Sequence, residues 1–301
     1  MAENRPSACD EAPQHKVEVP EKQQEGEARK GRSTTFEELL QASHEMWCRP
    51  LQVGTASEST QGPIAEPRDK LCPEQLCYWA DFPGKQREVF ENVCRYLKPT
   101  GKAAPPLFHT LGSLDDIFKD YVAEPLRSED DLDKYVTATV DKPVARIIRE
   151  LSRIRKPRIN CACPTASVFR ITTAQRWRGK GVGGQSDRHA AAPTGSLKPP
   201  HKLDVQILRV GLWDTNFVAE VIQQDTMPPD DDGKTKSNAE RLTGATLVQE
   251  YDVMIQEGLE FSYISNGFAY VFLHVPKDEF WKLHYYICEP NVDVYQEGTR
   301  I

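Results

Sequence analysis

The sequence predicts an α/β (α+β) domain in the second half of the chain, with helices packed on a small mixed sheet. Three observations near the end of the chain support this fold class. Apolar residues recur at helical spacing from Leu242 to Ile255, and this pattern stops at Gly258, a residue that favours the left-handed conformation of a helix C-cap. Asn266-Gly267 then separates two apolar runs, as in a β-hairpin. A third run alternates apolar and polar residues, as in a strand with one wetter face.

These patterns place the hairpin strands at 261–265 and 268–275 and the third strand at 281–288. The second hairpin strand is apolar at nearly every position, which is typical of a strand covered on both faces. We therefore expect the preceding helix to pack on the sheet, with Met254 and Phe272 buried.

The same domain, which we place at 128–295, contains further predicted helices and one loop. Asp141 is the expected N-cap of a helix with a continuous apolar stripe, and Asp204 and Asp214 are expected to cap two more. Residues 225–239 are polar and contain two prolines, so we expect them to form a flexible loop.

The first part of the chain is expected to contribute a tail and a helical extension. Residues 1–32 carry too little apolar surface to offset the entropy of ordering, which predicts a disordered tail. Residues 33–127 contain short amphipathic segments, with Thr35 and Ser113 as expected helix caps. Residues 50–67 form a Pro-, Ser- and Gly-containing linker inside this extension.

The composition limits location and class. The first residues lack the pattern of a secretory signal, and no apolar run reaches the ~18 residues that a membrane span needs. The eight cysteines stand at irregular spacings, which predicts reduced thiols and no zinc knuckle. We therefore expect an intracellular protein, cytoplasmic or nuclear, with no bound metal or cofactor and no membrane partner.

The formal net charge of −7 is unevenly distributed. Between Lys156 and Lys202, nine basic side chains stand against one acid, so this stretch carries +8 and the remainder −15. We call residues 158–197 the basic insert, because their composition differs from that of the residues on either side.

Three stretches of the chain resemble a known family. They are SEDDLDKYVTATVDKPVARIIREL at 128–151, KPPHKL at 198–203 and LVQEYDVMIQEGLEFSYISNGFAYVFLHV at 247–275. They are similar to the nuclease-like region of many fungal proteins, which often precedes a fungal-type protein kinase domain. That region resembles the PD-(D/E)XK nucleases, and this resemblance implies a core made of a helix, a three-stranded meander, a second helix and a further strand.

The resemblance also implies the location of a site. In such nucleases an Asp on one strand and a Glu-x-Lys on the next hold a divalent metal that activates water. Here the Glu-x-Lys position has Ser196 and Lys198, so the lysine is present and the carboxylate is absent. Asp187 is the only upstream acid in the insert and lacks strand character, and Gln249 stands where related nucleases have a helix glutamine. We interpret Ser196, Lys198 and Gln249 as a vestigial site; the simpler alternative is that Lys198 and Gln249 are solvated surface residues.

The basic insert offers a second candidate site. Trp177 could stack on a base while its neighbours Arg176 and Arg178 contact phosphates, with Lys180 and Arg188 adding positive charge. A solvated basic loop is the alternative interpretation of the same residues.

Three functions follow from these observations. The first is a degenerate nuclease-like domain that acts as a non-catalytic binding or regulatory module, with a protein partner or weak electrostatic binding of nucleic acid. The second is an active Mg²⁺-dependent nuclease whose acids are obscured by an altered reading frame or a retained intron in the insert. The third is a remnant of a kinase-associated protein, since no kinase motif follows the last predicted strand.

Overall fold

The computed structural model describes residues 30–47, 51–55, 57–64, 67–98, 101–154, 195–218 and 228–296. Its strands are β1 (Ser33–Thr34), β2 (Gln75–Tyr78), β3 (Phe108–Thr110), β4 (Gly195–Leu197), β5 (Thr215–Asn216), β6 (Phe261–Ser265), β7 (Tyr270–His274) and β8 (Lys282–Cys288). Its helices are α1 (Phe36–Trp47), α2 (Phe82–Leu97), α3 (Leu111–Val122), α4 (Glu129–Val136), α5 (Lys142–Arg153), α6 (Val205–Gly211), α7 (Asp231–Glu257) and α8 (Pro290–Gln296).

Six strands form one mixed sheet in the order β4-β6-β7-β8-β2-β5. The pairs β4–β6 and β8–β2 are parallel, β6, β7 and β8 form an antiparallel meander, and β5 pairs with β2 in the antiparallel direction at the second edge. Helices pack against this sheet, so the predicted α/β class is confirmed. The three predicted strands are also confirmed, although β7 is shorter than the apolar run that predicted it.

Helices α6 and α7 cover one face of the sheet and form what we call the main core. Met254 of α7 is fully buried there, together with Leu273 of β7 and Leu283 of β8. The predicted burial of Phe272 is wrong, because its side chain lies on the opposite face and is only half-buried. On that face its ring stacks on Phe82 with 4.9 Å between the ring centroids.

The hairpin between β6 and β7 is confirmed, with a longer loop than the Asn-Gly pair alone requires. The backbone N–H of Asn266 donates to the carbonyl of Ala269, and the Asn266 side-chain oxygen accepts from the N–H groups of Phe268 and Ala269 at 2.9 and 2.8 Å. Gly258 ends α7 as predicted, with φ +65°. Both turns therefore fix where α7, β6 and β7 meet.

A second group of buried side chains, which we call the helical cluster, joins α1, α2, α3, α4 and part of α5. The cap of α1 is confirmed, since the N–H of Glu38 donates to the Thr35 hydroxyl at 3.2 Å. The predicted cap of α3 is wrong. Thr110 holds that place, and its hydroxyl accepts from the N–H of Ser113 at 3.1 Å because the helix begins one turn earlier than the Ser-x-x-Asp pattern indicated.

Helices α4 and α5 are continuous through a π-helical turn at Thr137–Asp141. Asp141 is therefore not an N-cap, because its backbone is already helical and its side chain caps nothing. The cap is Ser128, whose hydroxyl accepts from the N–H of Asp131 at 3.1 Å. Burial of Tyr135 in the helical cluster carries the helix across the position where the sequence indicated a start.

Two further expectations need correction. Asp214 does not begin a helix: β5 follows it directly, and its carboxylate accepts a hydrogen bond from the N–H of Tyr78. The predicted loop 225–239 is helical from Asp231 onward, because the Asp230 carboxylate caps α7 by accepting from the N–H of Gly233 at 2.9 Å. The cap of α6 at Asp204 is confirmed.

Some expectations fall on residues outside the described ranges. The predicted tail lies there except for residues 30–32, as do residues 225–227 and most of the basic insert. Within the part of the chain that the structure describes, no helix has the length and apolar character needed to cross a membrane.

Candidate functional site

The candidate site lies at the edge strand β4, where the basic insert ends. β4 pairs in parallel with β6, and Gly195 lies opposite Tyr263. A Cβ atom at Gly195 would stand 2.5 Å from the Tyr263 ring, so only glycine lets this ring lie against the strand. The Tyr263 ring in turn contacts Tyr270, whose pKa is raised well above its ordinary value by burial. This aromatic layer fixes the position of β4 on the sheet.

Ser196 lies on the other face of β4, because side chains alternate along a strand. Its partner in the parallel register is Ile264, which belongs to the main core. Ser196 therefore lies on the side of the sheet that α7 covers, and it is half-buried. A strand position of this kind could present a carboxylate, but the residue here is a neutral hydroxyl.

Lys198 follows β4 and forms an ionic group with Lys202 and Glu129. The ammonium nitrogens of both lysines lie 3.8 Å from the same Glu129 oxygen. The lysine side chains are only 14% and 17% exposed, whereas the glutamate is 50% exposed. We call these three residues the lysine–glutamate cluster. Lys198 is thus mostly buried and is not the freely solvated side chain of the simpler alternative.

The backbone explains why the two lysines meet. The N–H of Lys198 donates to the carbonyl of Ser265 at 3.0 Å, which extends the pairing of β4 beyond its last residue. The carbonyl of Pro199 then accepts from the N–H groups of Lys202 and Leu203 at 2.9 and 3.1 Å, which closes a turn. Leu203 is fully buried, and its carbonyl accepts from the Asn266 amide at 2.9 Å. The turn is therefore anchored to the hairpin loop.

The charge balance of the cluster favours anions over metal ions. Two ammonium groups share one carboxylate, which leaves an excess of one positive charge at neutral pH. At 3.8 Å the ion pairs are longer than a hydrogen bond, so both lysines keep donor capacity. Among the described residues, no three His, Cys, Asp or Glu side chains are grouped so that they could hold a metal ion.

Gln249 lies on α7 and is half-buried, on the same side of the helix as the exposed residue Val253. The adjacent residue Glu250 is buried and accepts a hydrogen bond from the hydroxyl of Ser262 on β6. Glu250 therefore joins α7 to β6, the strand that pairs with β4.

The predicted nucleic-acid contacts cannot be placed. Arg176, Trp177, Arg178, Lys180 and Arg188 all lie outside the described residues, as does Asp187. The cysteines of the described part, Cys72, Cys77, Cys94 and Cys288, are free.

Sequence reasoning missed Glu129 and Lys202 as members of the site. Both stand in stretches that carried the family resemblance, directly after Ser128 and within KPPHKL. A polar residue next to a helix cap is ordinary in sequence, so no local signal distinguishes Glu129. Only the fold brings it to the turn after β4.

Comparison with known proteins finds similarity to one protein-family model and to a fungal protein. The family model described as the Spore killer 2 N-terminal domain matches residues 173–300. Meiotic driver SPOK2 of the fungus Podospora anserina is 22% identical over 312 residues, an alignment that covers 87% of the chain and 39% of that relative. The chain thus spans less than half the length of this relative. No solved structure matches the chain significantly.

These similarities confirm the predicted relationship to fungal proteins. The names of the matched family and of the relative refer to spore killing and meiotic drive, and neither refers to a nuclease or a kinase. The nuclease-like and kinase-associated interpretations therefore stay predictions.

Proposed function

We propose that this chain is a non-catalytic binding or regulatory module with a nuclease-like core, in a protein related to fungal meiotic drivers. One observation carries the proposal. At the position where the resemblance implies a metal-binding carboxylate, β4 presents Ser196, and the lysine that should assist catalysis, Lys198, is paired with Glu129.

The order of elements supports a nuclease-like core. The implied core has a helix, a three-stranded meander, a second helix and a further strand. The described residues contain a helix ending at Arg153, the strand β4, the short elements α6 and β5, the helix α7 and then β6, which is parallel to β4. Residues 155–194, where the resemblance implies further strands, lie outside the described residues.

The chemistry of the cluster supports inactivity. Mg²⁺ keeps much of its water shell and is localised by carboxylates together with substrate phosphates. Ser196 offers no charge to the ion, and the nearby ammonium groups of Lys198 and Lys202 repel it. Glu129 alone, already paired with both lysines, is a poor substitute for two strand carboxylates.

For the binding role we propose weak electrostatic binding of nucleic acid through the basic insert. Its positive charge would neutralise phosphates and release counterions, so affinity would fall steeply with salt. Arg176, Arg178, Lys180 and Arg188 would carry the charge, and Trp177 would stack on a base. A protein partner is the alternative ligand of the same module.

The rival function is an active nuclease whose acids are hidden by an altered reading frame or a retained intron. Two observations weigh against an error in the last part of the insert: the family match begins at residue 173, and Gly195 fits closely under the Tyr263 ring. Sequencing the transcript across residues 156–204 tests whether the remainder of the insert contains such an error. A transcript that restores two strand acids upstream of Lys198 would favour the active enzyme.

A cleavage assay tests the proposed inactivity. We expect the protein as written to leave plasmid and single-stranded DNA and RNA intact with Mg²⁺ or Mn²⁺. The Ser196→Glu variant tests whether one carboxylate restores cutting, and Ser57→Glu is the matched control, with the same charge change at an exposed loop position. Cutting by the unmodified protein that EDTA abolishes would overturn the proposal.

A further inference from the structure

A cavity of about 290 Å³ lies beside the lysine–glutamate cluster. One wall is the segment from Thr60 to Ile64, and the other is formed by His201 and Lys202 in the turn after β4, with Leu242 of α7. Its volume lies just below the range of roughly 300–1,000 Å³ for small-molecule sites. The cavity is therefore large enough for a compact ligand.

Two side chains of the cavity lining, His201 and Lys202, have hydrogen-bonding capacity that no described partner uses. Both ring nitrogens of His201 are shielded from solvent and, among the described residues, have no hydrogen-bond partner. Buried polar groups without partners are rare and costly in native proteins. The Lys202 ammonium adds positive charge, since its contact in the described structure is the long ion pair with Glu129, which Lys198 shares.

The remaining lining is apolar. Pro63 and Leu242 border the cavity, and Ile64 is buried and belongs to the main core. A fixed apolar wall opposite a cation fits a ligand that is anionic at one end and hydrophobic at the other. Free inorganic phosphate would leave this wall without a contact.

We propose that this cavity binds a small phosphate monoester with a compact apolar body. The phosphoryl oxygens accept hydrogen bonds from the Lys202 ammonium and, after the His201 ring turns toward the cavity, from one N–H of its imidazole. The apolar body lies against Pro63, Ile64 and Leu242. A dianionic phosphate suits the site better than a carboxylate, because it supplies three acceptor oxygens and meets the excess positive charge of the cluster.

This inference goes beyond the proposed function. Ligand binding in this cavity requires neither metal nor cleavage. A failure to bind the ligand would therefore leave the proposed lack of nuclease activity unchanged. Conversely, cleavage of nucleic acid by the protein would not affect the cavity.

Titration calorimetry with the full chain tests the site. Phenyl phosphate is the probe, with inorganic phosphate and phenol as fragments that lack one of the two ends. We expect phenyl phosphate to bind, inorganic phosphate to bind at least tenfold more weakly, and phenol to give no measurable heat. No heat from phenyl phosphate, or equal affinity for phosphate alone, would overturn the proposal.

Variants test whether the measured heat comes from binding in the cavity. Lys202→Gln should weaken phenyl phosphate binding at least tenfold, whereas Lys102→Gln, at an exposed position elsewhere, should not change it. Circular dichroism and the melting temperature verify that each variant is folded, and His201→Phe provides a second test if Lys202→Gln unfolds. A short phosphoserine peptide forms the last arm: binding tighter than that of phenyl phosphate would assign the cavity to a phosphorylated protein and reject the small ligand.

Discussion

The centre of the sheet and its edge strand β4 differ in almost every physical respect. In the centre, Val271, Leu273 and Leu283 are fully buried under α6 and α7. At the edge, all three residues of β4 are half-buried, and charged side chains follow the strand. The centre is held by apolar burial, which is not directional, whereas the edge is held by one close ring contact and a hydrogen-bonded turn.

This difference separates stability from recognition. A side chain in the centre stabilises the fold in proportion to the apolar area that it removes from water. A charge at the edge contributes little stability, because solvent screens exposed ion pairs. We therefore expect changes in the centre to lower the free energy of unfolding and changes at the edge to alter binding first.

The sharpest test compares the same truncation in both regions. Leu273→Ala should lower the free energy of unfolding by about 2–5 kcal/mol, because it leaves a cavity in a closely packed core. Leu197→Ala removes the same atoms from half-buried β4 and should cost about 1 kcal/mol or less. Urea denaturation measures both values. Equal losses would show that β4 is as much a part of the core as β7.

A second test uses pH and the outer face of the central strands. The His274 ring packs against both Trp79 and Phe261, with centroid distances of 4.8 and 4.7 Å. Burial, with a smaller contribution from the neighbouring imidazole of His284, lowers the pKa of His274 from 6.5 to about 4. The folded protein therefore keeps this ring neutral under conditions in which the unfolded chain takes up a proton.

The sign of the pH effect follows from this depressed pKa. The free energy of unfolding should be unaffected by His274 above about pH 6.5 and should fall as the pH drops toward 4, by up to about 3 kcal/mol. Denaturation at pH 7, 5.5 and 4.5 measures the slope. His274→Phe should flatten it, whereas His109→Gln, at an exposed position of β3, should not. An unchanged slope in His274→Phe would contradict the assignment.

The smallest expected effect is at the edge. Glu129→Gln removes the carboxylate shared by Lys198 and Lys202 and should lower the free energy of unfolding by less than about 1 kcal/mol, with a larger effect at low salt. Asp130→Asn, which breaks the exposed pair with Lys134, is the matched control. A loss of several kcal/mol on Glu129→Gln alone would mean that the cluster holds the fold together.

The sequence predicted correctly those elements whose start or end depends on residues only a few positions away. The end of α7 at Gly258, the Asn-Gly turn and strand β8 follow from residue periodicity and turn chemistry within a few positions. Phe272 was misplaced because an all-apolar strand does not reveal which face meets helices. Its ring lies on the outer face with Phe82, a residue from an element far away in the chain.

The errors at helix starts have a different cause. Asp141 and Ser113 match cap patterns, but Ser128 and Thr110 match equally well and begin the helices earlier. For the helix that runs through Asp141, packing of Tyr135 in the helical cluster favours the earlier start, and packing is not a local property. The same reason applies to the site: Lys198 was identified from a motif, whereas Glu129 reaches it only through the packing of α4 beside β4.

The π-helical turn at Thr137–Asp141 sets the angular register of that carboxylate. Successive residues of an α-helix are rotated by about 100° around its axis, and a π-turn accommodates one residue more than the regular helix. The half that carries Glu129 is thus rotated by about 100° relative to the half that carries Ile147, compared with an uninterrupted helix. The extra residue of this turn therefore lets Glu129 face the lysines while Ile147 stays in the helical cluster, and a chain shortened by one residue within Thr137–Asp141 would have to give up one of these contacts.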